Sequence, residues 1–402
     1  MICRTGLIKP LPKHMRIVFV FCSLLSLPLF GQNVNLPDPK LENAIREKLQ
    51  MPTGDITEKD LASIDKLDAS GYGIKDLSGL EYARNLNSLQ LGKNKISNIG
   101  PIASLTKLKV LGLNENFISD VSPLAKLTKL KRLTMDKNQV ADISSLSSLK
   151  GLEAISFNFN NISNIDVASS WKKMKYFNMA YNKLEDISPL DNLNKLEGIW
   201  IPGNYVSDIE ALTGLTRLKV VILEKNPVQD IRPLGALNNL AQLNLSQTKV
   251  KDYSPLAEAR NVTILILKEN NVTSIDFVAS LKKIKWIDLR NNKIEDVSPL
   301  TDLEHLEKLF LSDNKIGSLQ PLATLKSLRW LVVENNELSD LSPLNNITSL
   351  SDIMLYNNPI DNASAQEQIA KLKSSGKNVI TKPFGAKSVF QKVPSDIGKK
   401  SN

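Results

Sequence analysis

One register of 22 residues runs through most of the chain and constrains every fold open to it. Aligned on Asn94, the segment reads Leu86-x-x-Leu89-x-Leu91-x-x-Asn94-x-Ile96, and the spacing returns at Leu108, Leu111, Leu113, Asn116 and Ile118. The register continues through Asn138, Asn160, Asn182, Asn204, Asn226, Thr248, Asn270, Asn292, Asn314, Asn336 and Asn358. Thirteen positions thus hold twelve asparagines and one threonine. A degenerate copy precedes them at Ile64, Leu67, Ala69, Tyr72 and Ile74. Self-similarity at a short fixed period marks a solenoid, in which each coil buries its apolar side against its neighbours.

The pattern dictates the shape. Leu-x-Leu alternates faces, so each coil contributes a short strand with its leucines turned inward. The expected fold is an α/β solenoid, a right-handed superhelix with a parallel β-sheet on its concave side. Strands about 4.8 Å apart make a sheet on the order of 60–70 Å long. The recurring Asn sits where the chain leaves the strand, and its amide can satisfy backbone groups of the turn. Thr248 keeps a hydroxyl there but lacks the amide, which predicts a looser turn.

The second half of each coil reads Asp-Ile/Val-Ser-Pro-Leu. Asp120, Asp142, Asp186, Asp208, Asp230, Asp252, Asp296 and Asp340 fall four residues after the ladder position. Asp before a short Pro-containing turn is an Asx-turn or capping arrangement. A row of calcium ligands is the rival reading, but calcium takes six to eight oxygens and one carboxylate per coil does not supply them.

The expected organisation is a leader over 1–31, a helical N-terminal cap over 32–69, and about fourteen repeats over 70–362. A C-terminal cap over 363–381 and a flexible basic tail over 382–402 complete it. Asp38-Pro39 starts the first cap helix, whose inward face is Leu41, Ala44, Ile45 and Leu49. A second short helix starts at Thr57. Ala363 to Ser374 reads as a closing helix with Ile369 and Leu372 inward, and Val379-Ile380 as a final strand.

The leader reading rests on Ile17–Phe30, a 14-residue mostly apolar run behind basic residues, too short for a typical membrane span. Cleavage after Gly31 would leave Gln32 first, and either Met1 or Met15 can serve as the start. Localisation is then secreted or extracytoplasmic, with no transmembrane anchor after cleavage. Both cysteines, Cys3 and Cys22, fall in this leader, and His305 is the one histidine beyond it. A chain without Cys has no thiolate metal site or cysteine nucleophile, and one His argues against Ser-His-Asp chemistry. No enzyme, metal or cofactor is expected. Of the net charge of +9, residues 1–31 carry +4 and residues 382–402 another +4, leaving +1 for the body. That balance argues against nucleic-acid binding, which needs a concentrated basic face.

The consensus Leu-x-x-Leu-x-Leu-x-x-Asn-x-Ile-x-Asp-Ile-x-Pro-Leu-x-x-Leu, carried well from Asn116 to Leu130, resembles the internalin-type bacterial leucine-rich repeat. Leu36-Pro37-Asp38-Pro39-Lys40-Leu41 through Asp68-Ala69 resembles the helical cap of the same family. The resemblance covers about residues 36–362. It implies a secreted or surface-displayed protein that binds other proteins, often host receptors, through its concave sheet. Internalins commonly continue into an immunoglobulin-like domain and a wall-attachment element, and neither a Leu-Pro-x-Thr-Gly motif nor a C-terminal apolar anchor is present here.

Side chains between the inward leucines face the concave surface. Trp200, Trp286 and Trp330 fall on this grid, while Trp171 falls on the convex side. Two clusters emerge. Phe159, Tyr176, Tyr181, Trp200, Tyr205 and Ile222 form one, with Phe117 on the same grid. Ile264, Ile266, Trp286, Phe310, Trp330 and Tyr356 form the other, beside Asp288 and Arg290. Trp and Tyr are preferred interface anchors, and an exposed apolar stripe on a charged protein marks a partner site. The expected partner is a protein, such as a host receptor or matrix protein. Glycan binding is the alternative, since aromatic faces also stack on sugar rings.

Overall fold

The computed structural model describes residues 32–383; the expected leader (1–31) and nearly all of the expected tail lie outside the described residues. Fifteen three-residue parallel strands form one sheet in strict sequence order, from β1 (Lys66–Asp68) through β2 (Ser88–Gln90) to β15 (Asn378–Ile380). The sheet is an open solenoid, the fold class that the 22-residue period implies. Successive strands pair without slippage, as in Leu67↔Leu89↔Leu111↔Leu133. Equivalent residues of adjacent coils therefore lie side by side, and the inward leucines form one continuous buried core. After each of the first thirteen strands the chain crosses the convex side in a short 3-10 turn, replaced in one coil by the single turn α3 defined below.

The asparagines supply the hydrogen bonds that no strand can. Asn116 Nδ2 donates to Leu91 O (2.9 Å) in the previous coil and to Leu113 O (3.0 Å) in its own, while its Oδ1 accepts from Ile96 N (3.0 Å). The same set recurs at Asn182, Asn226 and Asn314 among others. All twelve are buried. A buried amide with every group paired is stable where an unpaired one is costly. The eight aspartates close Asx turns, each accepting from the backbone N–H two residues on, as in Ser122 N to Asp120 (2.8 Å) and Ser298 N to Asp296 (2.8 Å). Their hydrogen bonds hold Asp252 and Asp296 below the ordinary carboxylate value.

The turn at Thr248 is looser, as its missing amide predicts. Asn270 Oδ1 accepts from Thr248 N (2.9 Å) and faces the Thr248 hydroxyl (3.2 Å) instead of taking the N–H of Val250. Val228 N–H, whose counterparts Val206 N and Val272 N donate to a ladder asparagine, makes no such bond to position 248. The rung from Asn271 N to Val250 O, the counterpart of Lys249 N to Val228 O (2.9 Å) and Lys293 N to Val272 O (2.9 Å), is not made.

Helices close both ends. At α1 (Pro39–Leu49) the Asp38 carboxylate accepts from Lys40 N and Leu41 N with one oxygen and from Lys75 N and Asp76 N with the other. One side chain thus caps the helix and ties it to the first coil. Burial alone would raise the Asp38 carboxyl, but these four N–H groups hold it below its ordinary value. Then α2 (Glu58–Ala62) starts with a reciprocal capping box between Thr57 and Asp60. The convex turn Arg232–Gly235 is α3. Finally α4 (Ala363–Ser374), capped by Asn362, lays Ala365, Ile369 and Leu372 against the last coil before β15 ends the sheet.

Candidate functional site

The two halves of the concave face differ in what neighbouring coils place side by side. In the first half the strands carry small residues, Gly112, Thr134, Ala154, Ser156 and Gly198, at outward positions. They leave a hollow of about 340 Å³ walled by Tyr176, Trp200 and Arg132. The Trp200 ring folds back over Gly198, where an added Cβ would clash with it. Tyr176 meets it at 6.3 Å between ring centroids.

Beside this hollow lies an aromatic ledge. The residue before each ladder position adopts positive φ, because the turn out of the strand requires it. Other coils fill it with residues such as Lys137, Lys225, Asn291 or Asn335, but two use Phe159 (φ 55°) and Tyr181 (φ 53°). A bulky aromatic there stores strain of order 1–3 kcal/mol, which is typical of functional positions. Their rings stack at 4.7 Å and 9°. The Tyr181 ring rests on Gly203, where a Cβ would lie 2.5 Å away, and the Lys225 ammonium sits 5.8 Å from its centroid. Phe159 and Tyr181 are 50% and 39% exposed, and Phe117 and Tyr205 nearby are 53% and 60% exposed. These four are the large apolar side chains most open to solvent among the described residues.

The second half corrects the expectation of an exposed stripe. Phe310 (3% exposed) and Trp286 (9%) are buried with Val332, Met354 and Ile380 in an apolar cluster of their own. Register explains it: Phe310, Val332, Met354 and Ile380 follow one another across paired strands, and the Trp286 and Trp330 rings lean onto Phe310 at 5.9 and 6.4 Å. Lys308, paired between the two tryptophans, holds its ammonium 5.2 and 5.9 Å from their rings. Asp288 is likewise buried, as is Ile222 of the first cluster, paired with Trp200, while Ile266, Trp330, Arg290 and Tyr356 remain half-buried. Asp288 and Arg290 pair with each other (2.9 Å), and the guanidinium lies 5.3 Å from the Phe310 ring.

Next to them Glu334 is buried, which pushes its carboxyl up, countered by the hydroxyls of Tyr356 and Ser312. A raised folded value means that the unfolded chain ionises first as pH rises, so Glu334 subtracts stability at neutral pH and none in acid. Glu334→Gln is therefore expected to match the wild type near pH 3 and exceed it at pH 7. The hydrogen bonds from the Tyr356 and Ser312 hydroxyls oppose the effect of burial and keep the expected gain below ~1 kcal/mol. Parallel urea curves at both pH values check this, and an unchanged difference between them refutes it.

A second hydrogen-bond ladder escaped the sequence reading. Asn114 accepts from Asp136 N (2.8 Å), Asp136 from Asn158 N (2.8 Å) and the Ser156 hydroxyl (2.6 Å), and Asn158 from Ala180 N (2.7 Å). Its signal is an Asn or Asp two residues before three successive ladder positions, and through Ser156 it reaches the lining of the hollow. His305 is exposed, and Trp171 is fully buried, donating to Leu146 O (3.3 Å).

Among the described residues no helix is long and apolar enough to cross a membrane. A family model for leucine-rich repeats in two copies matches residues 84–126, 106–148, 282–324 and 304–346. No curated protein sequence matches the chain. The internalin inlF of Listeria monocytogenes is 30% identical, with 82% of this chain and 98% of that one aligned at a TM-score of 0.77. A leucine-rich-repeat protein of Leptospira interrogans shares the fold at 22% identity, covering 80% and 97% of the two chains at 0.70. So does a plant peptide hormone receptor solved in complex with RGF2, at 16% identity, 75% and 61% coverage and 0.59. Leucine-rich repeats are in general non-enzymatic binding scaffolds. With its unbroken 22-residue coils, asparagine ladder and helical entry cap, the chain belongs to the internalin-type leucine-rich repeat proteins.

Proposed function

We propose that this protein is a secreted or surface-exposed, non-enzymatic binder that grips a protein partner on the first half of its concave face. The carrying observation is the ledge of Phe159 and Tyr181, stacked, exposed and held at a backbone conformation that bulky residues avoid. Aromatic anchors beside a pre-formed hollow are the usual arrangement of an interface hot spot. The mixed polar lining of the hollow, with Arg132, Thr134 and Asn178, suits a protein surface.

Immobilised full-length protein, exposed to host-cell and bacterial extracts, tests the reading. The wild type is expected to retain a partner that Trp200→Ala loses. Trp330→Ala, in the packed second half, is expected to keep the partner while losing about 2–4 kcal/mol of stability. Loss by Trp330→Ala alone would move the site to the other half. Capture of a glycan rather than a protein would overturn the partner class.

A further inference from the structure

The break in the asparagine ladder coincides with two other departures. Tyr253 stands where neighbouring coils have Ile231, Ile275 or Val297, and Phe277 stands where most have Pro or another small residue. The two rings stack at 5.9 Å and 23° between adjacent coils on the flank of the solenoid. Between them and the two altered turns lies a cleft of about 720 Å³, within the range of ligand sites.

The cleft is chemically unfinished. Val250 N–H and C=O on one lip and Asn271 N–H on the other lack the rungs that their counterparts make. The Tyr253 phenol oxygen is buried with no well-formed hydrogen bond, facing only the Thr248 hydroxyl. Lys249 and Lys251 stand exposed at the entrance, and neither ammonium meets a carboxylate among the described residues. Both acids that line the cleft are committed to turns, Asp252 accepting from Ser254 N (2.9 Å) and Asp276 from the Ser274 hydroxyl (2.7 Å).

We propose that this cleft is a second binding site, for an extended acidic peptide segment. Its main chain would complete the missing rungs at Val250 and Asn271, and its carboxylates would pair with Lys249 and Lys251. Main-chain pairing with an extended peptide supplies affinity, and side-chain charge supplies selectivity. A sugar fits less well, because Tyr253 and Phe277 are both more than nine-tenths buried against each other and offer no open ring face. The site lies off the concave sheet and does not depend on the ledge.

The test titrates a fluorescein-labelled peptide of alternating Glu and Val into the full-length protein at low salt. Amide exchange of Val250 and Asn271 is followed in parallel. Binding that protects both amides is expected. Lys249→Glu/Lys251→Glu should weaken it roughly tenfold or more. Thr248→Asn, which supplies the ladder amide, should raise stability, protect the same amides without peptide and abolish binding. Phe159→Asn/Tyr181→Asn should leave it unchanged, so failure here and failure of the concave reading are separate results. No binding, equal binding of a Lys-Val peptide, or displacement by maltopentaose overturns the proposal. So does undiminished binding by the Lys249/Lys251 variant, whatever Thr248→Asn does to the rungs.

Discussion

Asn182→Ala is expected to destabilise the protein by about 2–4 kcal/mol, more than any exposed substitution. The amide donates to Phe157 O (2.8 Å), Ala180 O (3.2 Å) and Met179 O (3.3 Å) and accepts from Ile162 N (3.0 Å), all in buried surroundings. Alanine leaves these backbone groups unpaired in a place that water does not reach, and such orphans cost far more than an average hydrogen bond contributes. Because each coil is stabilised only by its neighbours, the damage should spread to adjacent coils before the ends. Urea unfolding measures the loss, and amide exchange locates it. A loss below about 0.5 kcal/mol would show that the ladder is ornamental. The chain carries its own milder example, since Thr248 keeps its hydroxyl bonded to Leu245 O (2.9 Å) and still forfeits neighbouring rungs.

Phe159→Asn/Tyr181→Asn should divide stability from binding in opposite directions. Asn tolerates positive φ, and Asn291, Asn335 and Asn357 occupy the same position in later coils. The double variant is therefore expected to fold as well as the wild type or gain up to ~1 kcal/mol from released strain. Binding of the partner should fall on the order of 100-fold, the effect of removing two hot-spot aromatics. Thermal melts and partner titrations decide the matter. Were the aromatics only packing on each other, stability would drop and affinity would hold. A gain of stability with loss of affinity is the signature of a site maintained against its own strain.

The architecture was legible because every coil repeats one local solution. Leu-x-Leu sets the inward face, and Asn at the ladder position serves the turn that follows. An Asp four residues later closes the next turn through a backbone N–H only two residues away, as Asp186 does with Ser188 N (2.7 Å). These are short-range requirements, so spacing alone reveals them. The concave grid was legible in the same way, since side chains alternate along a strand. Exposure on that grid was not. Phe159 and Phe310 occupy it equally, yet one is half exposed and the other buried.

What the 402 residues determined by themselves was the coil, its ladder, its turns and its count, because those follow from a period. Tertiary structure alone decided which aromatics face solvent. Each ring's surroundings come largely from the adjacent coils: a glycine seat for Tyr181, but Val332 and two tryptophans around Phe310. It also turned one Thr, one Tyr and one Phe, ordinary residues taken separately, into an open cleft, because hydrogen bonds between coils exist only once the coils stack.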